Sequence, residues 1–115
     1  MHDYRSLPDF DSDLEQLRKK YPHVEDDIRE ALKLALAGKA PTYPIPLFPG
    51  LVKIRIASAD QNRGKRGGFR VIYHSGVSGP CLISVYAKAQ YEQLPIAELR
   101  RLAAKVAAYN KQGSK

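Results

Sequence analysis

Three short runs of alternating side chains, Leu51–Ile56, Phe69–Ser75 and Cys81–Lys88, follow one another with only a loop and a turn between them. Alternation at period two marks strands that show one face to a core. Successive strands with connections this short pair as an antiparallel meander. On the first strand Val52, Ile54 and Ile56 face one side and Leu51, Lys53 and Arg55 the other. On the second, Phe69, Val71 and Tyr73 oppose Arg70, Ile72 and His74. On the third, strict alternation sets Leu82, Ser84, Tyr86 and Lys88 against Cys81, Ile83, Val85 and Ala87, a wholly apolar set that reads as core. Gly67-Gly68 closes a basic loop and makes a sharp entry into the second strand, because glycine takes backbone angles closed to other residues.

The N-terminal third has helical spacing. Ser12-Asp13-Leu14-Glu15 matches the capping box, in which serine and glutamate side chains satisfy orphan backbone donors, so a helix is predicted from Asp11-Ser12 to Tyr21. Pro22 stops it. A second helix is predicted over Val24–Ala37, with Val24, Ile28, Leu32 and Leu36 as its buried stripe and Gly38 as its stop. The two form an antiparallel hairpin. Asp3–Leu7 reads as a short edge strand limited by Pro8. Pro41, Pro44, Pro46 and Pro49 make Lys39–Gly50 a stiff, extended connection. Pro95 suits the first turn of a last helix reaching Asn110, with Ile96, Leu99, Ala103, Val106 and Ala107 on its apolar face. The predicted order is β-α-α-β-β-β-α. At 115 residues this reads as one α+β domain over 1–115: a small, twisted, antiparallel-dominated sheet with the helical hairpin and the last helix packed on it.

Charge narrows the function. The net charge is +7, split unevenly: −3 over residues 1–38 and +10 over 39–115. A basic C-terminal two-thirds suits a polyanionic partner, either nucleic acid or an acidic protein. No apolar run is long enough to span a membrane, and the first residues lack an apolar export core. The single cysteine, Cys81, excludes an internal disulfide and fits a reducing compartment, so a cytoplasmic protein is expected. His2, His23 and His74 are too scattered for a metal site. GKRGG precedes a strand rather than opening a helix, so it is no Walker-type cradle. Asp60 is the only acid between the first and third strands, which disfavours paired-carboxylate chemistry. Neither a metal nor a cofactor is expected.

What remains is a set of strand-borne cations. Lys53 and Arg55 share a face, Arg70 and His74 share one on the next strand, and Lys88 ends the third. If these faces coincide, one surface of the sheet can cut RNA without a metal. A base takes the ribose 2′-OH proton, the oxygen attacks the adjacent phosphate, and cations hold the developing charge. Arg70 is the centre of this set, since guanidinium suits bidentate contact with phosphate, and it is expected to face solvent. Arg63, Lys65 and Arg66 read equally as a solvated loop tip or as a contact to phosphate or ribosomal RNA. His74 has a pKa range suited to proton transfer but also fits a plain strand-end position. Tyr86 reads as packing or as RNA contact.

The string GKRGGFRVIY, with KIRIA before it and LISVYAK and LPIAELRRL after it, resembles the RelE/HigB family of bacterial toxins, as does the element order. The resemblance runs from about Leu7 to Tyr109 and is strongest over Leu51–Leu102. It implies a ribonuclease that cuts mRNA in the ribosomal A site and is neutralised by a cognate antitoxin protein. In that family Lys53 and Arg55 match a basic pair, Arg70 the arginine at the scissile phosphate, and Lys88 the basic residue closing the last strand. A catalytic tyrosine of the family falls on Leu94 by strict spacing, with Tyr91 the nearest candidate and Tyr86 the next. Two other readings stay open: a relative on the same fold that inhibits DNA gyrase by protein contact, as ParE-type toxins do, and a basic RNA-binding module without catalysis.

Overall fold

The computed structural model describes residues 4–60, 67–76 and 79–113, with side chains of the last helix described as far as Tyr109. The elements are β1 (Arg5–Ser6), α1 (Pro8–Lys20), α2 (Val24–Leu36), β2 (Tyr43–Pro44), β3 (Leu51–Ile56), β4 (Phe69–Gly76), β5 (Gly79–Ala87) and α3 (Ile96–Gly113). This is the α+β architecture expected. The sheet runs in the order β1-β5-β4-β3-β2, with β1 parallel to β5 and every other pair antiparallel.

Each face of the sheet carries its own core. The α1–α2 hairpin covers one face, packing Phe10, Leu14, Val24, Ile28 and Leu32 on Ile54, Ile56, Phe69, Val71 and Tyr73. Helix α3 covers part of the other face, setting Leu99, Leu102 and Val106 against Leu51, Ile72, Cys81 and Ile83. Fully buried aliphatic and aromatic side chains of this kind contribute about 1.5–3 kcal/mol each. No helix among the described residues is long and apolar enough to cross a membrane.

Four local expectations are corrected. Helix α1 starts at Pro8, not at Asp11-Ser12: proline is the first helical residue, where its missing N–H costs nothing, and Leu7 precedes it in extended conformation. The capping-box match is therefore a coincidence inside the helix. In α2, Leu36 is 46% exposed and Ala35 is buried in its place. A four-residue step overshoots the 3.6-residue turn, so three steps from Val24 rotate Leu36 about 120° off the face. In α3, Ile96 is 53% exposed and Ala107 is exposed, while Leu102 is buried. The proline-rich connection also contributes a strand, since Tyr43 and Pro44 pair with Lys53 and Val52 at the sheet edge.

The fifth difference shapes the site. Ile72 pairs with Ser84, but the next residue of β4, Tyr73, pairs with Leu82. Ile83 is the extra residue of a β-bulge. Strict alternation therefore fails along β5. Leu82, Val85 and Ala87 lie in the hairpin-side core, and Cys81, Ile83 and Tyr86 lie in the α3-side core.

Candidate functional site

Toward the start of α3, on the same face of the sheet, the strands align their polar residues in rows. Arg55 of β3 stands directly opposite Arg70 of β4, which stands opposite Tyr86 of β5. One row down, Tyr43, Lys53, Ile72 and Ser84 follow one another across β2 to β5. Directly opposed side chains on one face have Cβ atoms about 4.5–5.5 Å apart, and diagonal ones about 7–8 Å. Lys53, Arg55, Arg70 and Tyr86 thus form one patch. Tyr43, Lys53, Ile72, Tyr86, Leu94 and Leu99 line a small hollow of about 120 Å³ where this patch meets the start of α3.

The sequence places Arg70 on the right face but misjudges its exposure. It is 5% exposed. Its Nη1 donates to the carbonyl oxygens of Gly67 and Phe69, both at 3.0 Å. The guanidinium is held against its own strand entry. That entry depends on Gly68, whose φ is +62° and where an added Cβ would stand 2.0 Å from the Ile56 carbonyl oxygen. Only glycine fits so close a crossing at so unusual an angle. Arg55 is drawn the other way, with its guanidinium carbon 4.7 Å from the centre of the Tyr43 ring. No residue pattern pointed to Tyr43, which lies in a proline-rich run without periodicity.

Crowding of positive charge tunes the patch. Burial, and then the neighbouring Arg55 and Arg70, push the Lys53 ammonium below its ordinary pKa. Burial and Arg55 likewise lower Arg70, opposed by Tyr86 and Tyr43. Burial raises the Tyr86 phenol, against a smaller opposing effect of Arg70, so it is a hydrogen-bond donor at neutral pH. The Tyr91 ring meets Tyr86 edge to face, with centroids 5.9 Å apart. Lys88 sits half-buried at the rim, one residue past β5, where its N–H donates to the Gly68 carbonyl oxygen at 3.0 Å.

The remaining candidates fall elsewhere. His74 shares the face but pairs across the strands with Leu51 and Cys81, two rows from Arg70 and beside the segment packed by α3. Four steps along β4 set it about 13 Å from Arg70. Its ring lies against Gly50, so it is not brought to the cations. Arg63, Lys65 and Arg66 lie outside the described residues. Among the described residues no three His, Cys, Asp or Glu side chains are grouped to hold a metal ion.

A second hollow, which the sequence did not suggest, opens on the other side of Tyr86. Asp13 of α1 reaches the outer edge of β5, where its carboxylate accepts from the Val85 N–H and lies 3.5 Å from Ser84 Oγ. Burial is the main cause that pushes its pKa up to about 6, with Asp9 and Glu98 adding repulsion and the two hydrogen bonds opposing. The capping-box pattern hid this residue by giving it a sufficient local explanation. Compared with models of known families and with curated proteins, the sequence matches none of them.

Proposed function

We propose that this chain is a metal-independent endoribonuclease that cuts mRNA on the ribosome, acting as the toxin of a toxin–antitoxin pair in the cytoplasm. The observation that carries this reading is the cross-strand alignment of Lys53, Arg55, Arg70 and Tyr86 on the α3-side face of the sheet. The scissile phosphate sits on Arg70 and Arg55. Lys53, with its pKa lowered by burial and its cationic neighbours, takes the 2′-OH proton. The freed 2′ oxygen attacks phosphorus, the bond from phosphorus to the 5′ oxygen breaks, and that oxygen takes a proton from water. The products are a 2′,3′-cyclic phosphate and a 5′-hydroxyl. Arg70, Arg55 and the Tyr86 phenol hold the charge that grows on the phosphate oxygens in between. The motif resemblance to RelE/HigB toxins adds the ribosome and a neutralising antitoxin protein to the same reading.

The test is expression of the intact chain in bacteria, followed by primer extension on cellular mRNA and on purified programmed ribosomes. Growth arrest with new mRNA ends inside codons is expected. DNA cleavage complexes with intact mRNA would instead support gyrase inhibition. RNA binding without new ends would leave a non-catalytic module.

A further inference from the structure

Beyond the cationic patch, α1, the outer edge of β5 and the start of α3 enclose a cleft of about 390 Å³. That is within the size range of small-ligand sites, about 300–1,000 Å³. The cleft exists because β1 pairs with β5 only at Cys81 and Leu82, which leaves the following edge of β5 open to Asp13. Its polar lining is rich in acceptors: the carboxylates of Asp13 and Glu98, the Ser84 hydroxyl and the Gln90 amide. Arg101 engages Glu98 at 2.7 Å, but among the described residues no cation pairs with Asp13. Tyr91 forms a wall, 41% exposed, with its ring and the Tyr86 ring nearly perpendicular, 84° apart.

This lining rejects phosphate and welcomes a flat group that carries hydrogen-bond donors. Tyr86 borders both this cleft and the hollow beside Lys53, so the two sites share a wall. We propose that the cleft binds a guanine base of the RNA whose phosphate lies on Arg70, with Asp13 reading its edge and Tyr91 stacking on its face. The inference rests on the ribonuclease reading of the neighbouring patch. Guanine is singled out by geometry. Its N1–H and N2–H₂ are adjacent donors and match a carboxylate, whereas adenine and cytosine offer one amino group there and uracil a single N3–H flanked by two carbonyls that repel the acid. Stacking on a tyrosine face accepts any base and adds affinity without choice.

The experiment titrates the intact protein with GMP, AMP, CMP and UMP separately, following backbone amides by NMR. GMP is expected to shift the Ser84, Val85 and Tyr91 amides and to bind about tenfold or more tighter than UMP. Asp13→Asn, nearly isosteric and verified as folded in the same spectra, is expected to erase the preference. Tyr91→Ala, at an exposed position, is expected to weaken all four nucleotides and keep guanine first. Equal binding of the four to the wild type, a preference that survives Asp13→Asn, or shifts mapping away from the cleft would each overturn the proposal. None of these readouts needs cleavage, so intact mRNA in the primer-extension assay counts against the ribonuclease reading separately.

Discussion

Arg55 and Arg70 stand directly opposite each other on neighbouring strands, two like charges where a sheet normally sets unlike ones or apolar pairs. Their guanidiniums are drawn apart, one over the Tyr43 ring and one onto the Gly67 and Phe69 carbonyls. The arrangement costs folding energy that an anion placed between them would recover. The proposed phosphate site would supply that anion.

Replacing Arg70 with Ala is expected to cut the single-turnover cleavage rate by about 100-fold or more, through loss of a contact to the developing charge. Because the side chain is buried and doubly hydrogen-bonded, stability should also fall, by about 1–3 kcal/mol, partly offset by relief of the repulsion with Arg55. Urea unfolding beside the kinetic assay separates the two effects. A stable, fully active variant would remove the centre of the proposed mechanism.

Lys53→Arg keeps the charge but cannot give up its proton near neutrality. The wild-type rate should rise with pH as Lys53 loses its proton, and the variant should lose that limb. No single change among Tyr86→Phe, Tyr91→Phe and His74→Ala should match the Arg70→Ala defect. His74 is two rows away, and the Tyr91 ring packs on Tyr86, at the far end of the row from Arg55. Rate profiles across pH for the five variants check this. If Tyr91→Phe equalled Arg70→Ala, proton transfer would pass to Tyr91.

Asp13 makes an unusual contribution to the pH dependence of stability. Its folded pKa of about 6 lies above its ordinary 3.8, so the folded state binds the proton more tightly. Relative to Asp13→Asn, the wild type should therefore gain stability as pH falls from above 6 to below 4. The gain should be at most about 3 kcal/mol, and less because the group is only partly buried. Taking the difference between the two proteins matters, since Asp9 and Glu98, both with lowered pKa, lose stability on the same descent. Denaturation midpoints at several pH values measure it; a flat difference would contradict the burial of Asp13.

Gly68→Ala should destabilise by more than about 1 kcal/mol, since both the positive φ and the Ile56 carbonyl oppose a side chain there. Cleavage should weaken with it, because the Gly67 carbonyl that anchors Arg70 belongs to the same turn. Gly38→Ala offers a control, with φ +74° but open space around it, so it isolates the angular strain. Equal losses at the two glycines would show that the close crossing is unimportant.

Much of the fold was legible because the meander announces itself by alternation and the hairpin helices by their apolar rows. Parity put Lys53 and Arg55 on one face of their strand and set Arg70 opposite the core residues Phe69, Val71 and Tyr73 on the next; that the two cationic faces coincide came from the strand register. What stayed hidden was decided by partners distant in sequence. Leu36 gave way to Ala35 because the helix, not the sequence row, sets the buried face. Tyr43 gained a role only by pairing with β3, and Asp13 only by meeting the far edge of β5. Arg70's burial came from carbonyls on its own strand entry, which no pattern of residue types reveals.

The bulge at Ile83 also sets a reading frame for the sheet. Upstream of it β5 turns its odd-numbered residues toward α3; downstream it turns them toward the hairpin. Deleting Ile83 would join the two halves in one phase. Either Tyr86 would leave the row of Arg55 and Arg70, or Leu82 would leave its place beside Tyr73 and carry its β1 partner, Ser6, with it. One inserted residue thus lets a single strand serve a core at one end and a charged surface at the other.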